Sequence, residues 1–106
     1  MAFSYTIDRH GQRVRLALAG EVDISVADEI RHAAHRLLSV PATRCLEVDL
    51  DALTLLDSSG ILALVNAYRA AADRGCAFAV TNARGVVKAV LKTTGVFDIL
   101  THAQPA

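Results

Sequence analysis

Hydrophobic and polar residues alternate with a period of two near the start of the chain and in two later segments. Apolar side chains stand at positions 3, 5 and 7, and again at 14, 16 and 18, on either side of a turn at residues 10–12. This alternation predicts a β-hairpin with one buried face, whose second strand ends at Gly20. Two further strands are predicted, at residues 45–50 and 76–81.

Apolar residues recur at helical spacing in three other segments of the chain. The first predicted helix begins at Ser25, with Asp28 completing a shortened capping box, and reaches about residue 39 before Pro41. The second covers about residues 59–74, and Gly75 is the type of residue that ends a helix in the left-handed conformation. A third helix begins at about Asn82 or the next residue and ends before Gly95.

The order of these elements predicts the fold class. It is β-β-α-β-α-β-α, and the apolar run at 96–100 is compatible with a final short strand. Strands separated by helices favour parallel pairing, whereas the opening hairpin is antiparallel. We therefore expect a single α/β domain with a mixed β-sheet, an N-terminal β-hairpin and packed helices, a core from about residue 3 to 101, and a loose tail at 102–106. Within the strand at 45–50, Glu47 and Asp49 alternate with apolar residues, so part of one sheet face should meet solvent.

Length and charge limit the possible partners. The 106 residues suit one hydrophobic core, and 11 Lys and Arg balance 11 Asp and Glu. A neutral chain lacks the broad positive field that nucleic-acid binding needs, and no apolar run approaches the roughly 20 residues of a membrane span. Cys45 and Cys76 lie far apart in the sequence, and the N-terminus shows no signal-peptide pattern. We therefore expect a cytoplasmic protein in which both thiols are buried and structural.

Motifs for catalysis are missing from the sequence. Neither a dinucleotide-binding glycine pattern nor a P-loop lysine occurs, and the G-x-S-x-G elbow is absent. None of the four histidines stands in a recognisable partnership with Ser58, and a serine without a base is a weak nucleophile. The sequence therefore predicts no enzyme, no catalytic residue and no cofactor.

Two groups of possible metal ligands are better explained by solvent exposure or by hydrogen bonds to the nearby backbone. Asp49, Asp51 and Asp57 could gather around Mg²⁺, but aspartates at strand ends and turns are common because they bond to the nearby backbone. His32 and His35 share a helix face, yet no further ligand completes a site. We predict solvated or locally bonded side chains and no metal.

The stretch Asp57-Ser58-Ser59-Gly60 joins a predicted buried strand to an amphipathic helix. Free N–H groups and the helix dipole make such an N-terminus suitable for an anion, so a serine there could carry a phosphate. The alternative is that Ser58 only caps the helix.

The wider pattern resembles the STAS domain of bacterial anti-sigma factor antagonists over about residues 3–101. The segments that carry the resemblance are Gly20-Glu21-Val22-Asp23, Val48-Asp49-Leu50, Leu56-Asp57-Ser58-Ser59-Gly60-Ile61 and Thr94-Gly95-Val96-Phe97-Asp98-Ile99. Many single-domain members of that family continue into one more C-terminal helix, whereas this chain ends at Ala106.

The resemblance implies a partner-switching protein. In that family the serine matching Ser58 is phosphorylated by an anti-sigma factor that is an ATP-dependent serine kinase, and a PP2C-type phosphatase reverses the step. The unphosphorylated protein binds the anti-sigma factor and frees the sigma factor. Asp23 matches an acidic position at the rim of the partner-binding face, and Asp57, Ser59, Gly60 and Ile61 match the residues around Ser58. Gly60 is expected to keep the approach to Ser58 open.

Two alternatives to this function stay open at the level of sequence. One is a STAS interaction or scaffolding module of a stress-signalling or transport complex without a sigma-linked switch. The other is a small-ligand or nucleotide-binding enzyme. The expected oligomeric state is a monomer or weak dimer.

Overall fold

The computed structural model describes residues 2–101, which form four strands and four helices. In chain order these are β1 (Ser4–His10), β2 (Arg13–Val22), α1 (Ile24–Ser39), β3 (Cys45–Leu56), α2 (Ser58–Asp73), β4 (Ala77–Thr81), α3 (Gly85–Thr93) and α4 (Phe97–Thr101). The strands form one sheet in the order β1-β2-β3-β4. β1 is antiparallel to β2, whereas β3 is parallel to β2 and β4 is parallel to β3. The predicted mixed α/β sheet with an N-terminal hairpin is confirmed.

The helices cover one face of the sheet. Leu16 of β2 and Leu46 and Val48 of β3 are fully buried on that face. On the other face Arg15 lies between two half-buried carboxylates, 3.5 Å from Glu47 and 4.0 Å from Asp49. The expected alternation along β3 is therefore present, and the open face carries charges that pair across strands.

Both central strands are longer than the hydrophobic pattern predicts. β2 does not end at Gly20 but continues to Val22, and β3 continues from residue 50 to Leu56. Their pairing shifts register near Gly20, whose φ of +95° favours glycine and whose missing Cβ leaves room for the backbone of Ala2. The Thr54 hydroxyl donates to the Gly20 carbonyl at 3.0 Å. This bulge interrupts the simple alternation, which is why the pattern ends too early.

The apolar run near the C-terminus forms the short helix α4 instead of a final strand. Leu100 is fully buried, Phe97 is half-buried, and the Thr101 hydroxyl donates to the Phe97 carbonyl at 2.7 Å. Short apolar runs do not distinguish a strand from a buried helical turn. The expected tail at 102–106 lies outside the described residues.

Two helices begin at other residues than predicted. α1 begins at Ile24 because Asp23, not Ser25, is the N-cap. α3 begins at Gly85 after Arg84, which provides no side-chain cap. Asn82 instead adopts a left-handed φ of 60° and donates its amide to Asp49 at 3.0 Å, so it belongs to the turn after β4.

Both cysteines are free thiols. Cys76 is buried immediately before β4, and Cys45 is half-buried at the start of β3. Burial raises the pKa of the Cys76 thiol, and the nearby Cys45 acts in the same direction. Among residues 2–101, no helix combines the length and hydropathy that crossing a membrane requires.

Candidate functional site

Asp23 and Asp57 lie next to each other because their strands end in register. β2 and β3 are parallel neighbours, and Val22 pairs with Leu56 at their carboxyl ends. The Asp57 N–H donates to the Val22 carbonyl at 3.2 Å, and this hydrogen bond joins the carboxyl ends of the two strands. Each aspartate then begins a helix, so the N-termini of α1 and α2 open at the same edge of the sheet.

The Asp57 carboxylate is the cap of α2. One of its oxygens accepts hydrogen bonds from the Ser59 N–H at 3.0 Å, the Gly60 N–H at 3.1 Å and the Ser59 hydroxyl at 2.5 Å. These bonds satisfy donors of the first helical turn that have no partner within the helix. Ser58 is therefore not the helix cap, which removes that alternative for its hydroxyl.

The two serines of this turn differ in accessibility. Ser58 is the first residue of α2 and is exposed, and within residues 2–101 its hydroxyl makes no hydrogen bond. Ser59 is half-buried and its hydroxyl is held by Asp57. The Ser58 hydroxyl is therefore free and exposed, whereas the Ser59 hydroxyl is engaged.

Asp23 repeats the same arrangement at the start of α1. Its carboxylate accepts from the Ser25 N–H at 2.9 Å and from the Ser25 hydroxyl at 2.5 Å. These two hydrogen bonds hold the pKa of Asp23 below its ordinary value. The shared Asp-x-Ser spacing of residues 23–25 and 57–59 is the signal that identifies Asp23 as the cap.

Gly60 lies on the buried side of the α2 N-terminus. It is buried, and a Cβ at this position would lie 2.5 Å from Leu56 Cδ1 and 2.6 Å from Val22 Cγ1. Its small size therefore lets α2 approach the ends of β2 and β3. This differs from the expectation that Gly60 keeps the approach to Ser58 open, because its missing side chain would point into the core.

A family model described as "Mlab, STAS domain" matches residues 5–101. The chain belongs to the STAS domain family. No curated protein is a significant match to its sequence.

Solved structures of anti-sigma factor antagonists share this fold. One from Mycobacterium paratuberculosis has a TM-score of 0.82 at 23% identity, with 99% of this chain and 87% of that chain covered. SpoIIAA in its unphosphorylated form has a TM-score of 0.78 at 19% identity, covering 89% and 83%. The Bacillus cell fate determinant SpoIIAA in its phosphorylated form gives 0.72 at 18% identity, covering 88% and 85%. At these identities the likeness establishes the fold.

The six expected site residues of this STAS domain lie at different depths. Asp23 and Ser58 are exposed and Asp57 and Ser59 are half-buried, whereas Gly60 and Ile61 are buried. Gly60 and Ile61 thus shape the helix start, and the other four are accessible. Sequence reasoning missed two exposed apolar neighbours, Ile24 and Leu62. Their positions in the sequence could have identified them. Ile24 is the first residue of α1, as Ser58 is of α2, and Leu62 lies one helical turn after Ser58.

The other candidate ligands are held by separate partners. Asp49 accepts from the Asp51 N–H at 2.9 Å, and Asp51 pairs with Arg84 at 3.3 Å. Asp57 is occupied as a cap. Within residues 2–101, no group of three or more His, Cys, Asp or Glu side chains is placed to hold a metal ion.

Proposed function

We propose that this STAS domain is an anti-sigma factor antagonist that is switched by phosphorylation of Ser58. In its unphosphorylated form it binds a kinase-type anti-sigma factor in the cytoplasm and releases the sigma factor. The observation that carries the proposal is the contrast between adjacent serines: Ser58 is exposed with a free hydroxyl, and Ser59 is engaged by Asp57.

The position of Ser58 can accept a phosphate without loss of the fold. A phosphoserine adds a charge of about −1.5 to −2, and the positive end of α2 favours a negative group at that place. Asp57 supplies the cap, so the helix start does not depend on the Ser58 hydroxyl. The solved SpoIIAA structures, one phosphorylated and one not, both share this fold and thus support the proposal.

The same charge should oppose binding of the partner. It would stand beside the Asp57 carboxylate and near Asp23, and a docked protein would remove water from all three groups. Desolvation and like-charge repulsion of this kind cost several kcal/mol, which lowers affinity by orders of magnitude. A PP2C-type phosphatase would restore the binding form. The switch acts on association and leaves folding intact.

Mass spectrometry after incubation with a kinase-type anti-sigma factor and ATP tests this proposal. We expect one added phosphate at Ser58, which Ser58→Ala abolishes and Ser59→Ala retains. Phosphorylation of Ser59 or Thr54 in the wild type would contradict the assignment. Binding without any phosphorylation would instead favour the interaction or scaffolding module, the second function that the sequence leaves open.

A further inference from the structure

The two most exposed large apolar side chains within residues 2–101 line one cavity. Ile24 is 81% exposed and Leu62 is 58% exposed, although both belong to well-formed helices. The cavity lies between the N-terminal halves of α1 and α2 and has a volume of about 360 Å³. Exposed apolar side chains that converge on a concave surface are typical of interaction sites.

This cavity adjoins the proposed switch. Ser59 lines it, and Ser58 precedes Leu62 by four residues, so Ser58 and Leu62 share one face of α2. A protein that reaches the Ser58 hydroxyl must therefore lie over the turn that carries Leu62, beside Ile24 of the adjacent helix.

The walls of the cavity suit an apolar guest. Ala27 and Ala63 contribute small side chains, which leave the space between the helices open. The charged groups of the rim are paired with each other, since Arg31 lies 3.3 Å from Asp28. The two charged residues that line the cavity thus pair with each other. Its exposed apolar side chains are those of Ile24 and Leu62, and the polar Ser59 and Asn66 complete the lining.

We propose that this cavity receives an apolar side chain of the kinase-type anti-sigma factor, with Ile24 and Leu62 as its main contacts. The inference rests on the proposed function and adds the chemistry of the docking contact. It also accounts for the sign of the switch, because a phosphate on Ser58 would lose its hydration beside an apolar contact. A partner anchored only by cations would instead be attracted by the phosphate.

The test compares dissociation constants of the unphosphorylated protein for the anti-sigma factor. We expect Ile24→Ser and Leu62→Ser each to weaken binding by at least about tenfold, as for apolar residues at the centre of an interface. Ile99→Ser is the matched control, because Ile99 is 53% exposed on α4 and outside the cavity. Thermal midpoints should stay within a few degrees for all three variants, since each side chain is largely exposed. The loss should be the same between about 50 and 500 mM salt, because apolar contacts are not screened.

The outcomes separate the two proposals. Wild-type binding with both variants within twofold of it would overturn the apolar anchor and leave the proposed function standing. Failure of the wild type to bind any kinase-type anti-sigma factor would overturn both. Sedimentation of the protein alone gives the remaining outcome: a dimer that Ile24→Ser dissociates would assign the cavity to a second copy and overturn the proposal.

Discussion

The Ser59 hydroxyl donates a hydrogen bond of 2.5 Å to the Asp57 carboxylate, and this bond makes two neighbouring serines different. The carboxylate also caps the helix through the N–H groups of Ser59 and Gly60. Ser58 lies between Asp57 and Ser59 in the sequence, but its side chain takes no part in these hydrogen bonds. Asp57 and Ser59 therefore stabilise the helix start, while Ser58 remains accessible.

Removing the cap should cost stability, whereas removing the Ser58 hydroxyl should not. We expect Asp57→Ala to lower the free energy of unfolding by about 1 kcal/mol, the usual loss of an N-cap. Ser58→Ala, at an exposed position without a hydrogen bond in the described structure, should stay within about 0.5 kcal/mol of wild type. Urea denaturation measures both. Equal losses in the two variants would contradict the assignment of Asp57 as the cap.

Adding one methyl group at Gly60 should destabilise the protein. The new Cβ would stand 2.5 Å from Leu56 Cδ1 and 2.6 Å from Val22 Cγ1, and both side chains are buried in the packed core. Overpacking of this kind costs about 1–3 kcal/mol, against a gain in helix propensity of about 1 kcal/mol. We therefore expect a net loss for Gly60→Ala in urea denaturation, with Ser58→Ala as the control in the same turn. A Gly60→Ala protein more stable than wild type would show that the strand ends can give way.

Acid should weaken the contribution of the Asp23 cap. The hydrogen bonds from Ser25 lower the pKa of Asp23 in the folded state. A depressed folded pKa gives stability that is present above the unfolded pKa and is lost as pH falls through the folded pKa. We expect Ser25→Ala to raise the pKa of Asp23 in a carboxyl NMR titration. Its destabilising effect should be larger at neutral pH than in acid below that pKa, and an effect independent of pH would contradict this account.

The two thiols should react at different rates. Cys76 is buried and its pKa is raised, so few molecules carry its thiolate near neutral pH, whereas Cys45 is half-buried. We expect iodoacetamide to modify Cys45 first in the folded protein and both thiols at similar rates in urea, as followed by peptide mass spectrometry. Because the raised pKa keeps Cys76 protonated when folded, its contribution to stability should decline as pH rises above the ordinary thiol pKa. Faster modification of Cys76 in the folded protein would contradict its burial.

Local patterns were enough for the type of most elements and for the helix start that contains Ser58. Alternation revealed the hairpin and the strand that contains Glu47, because period two follows directly from a sheet with one buried face. The preference of Asp and Ser for helix N-termini, between a strand and an amphipathic helix, placed Asp57 and Ser58 at a helix start. Patterns failed where tertiary contacts override them. The bulge at Gly20 interrupts the alternation although β2 continues to Val22, and the apolar run that contains the buried Leu100 forms a helix although it also suits a strand.

The sequence by itself determined that a strand leads through Asp57-Ser58-Ser59-Gly60 into an amphipathic helix, since propensity, capping and periodicity act between near neighbours. The tertiary structure alone decided what surrounds that stretch. Parallel pairing of β2 with β3 brings Asp23 beside Asp57, places Gly60 against Val22, and sets Ile24 and Leu62 around one cavity. These contacts join residues some 34 to 38 positions apart, and their geometry depends on strand register, which local preferences do not specify.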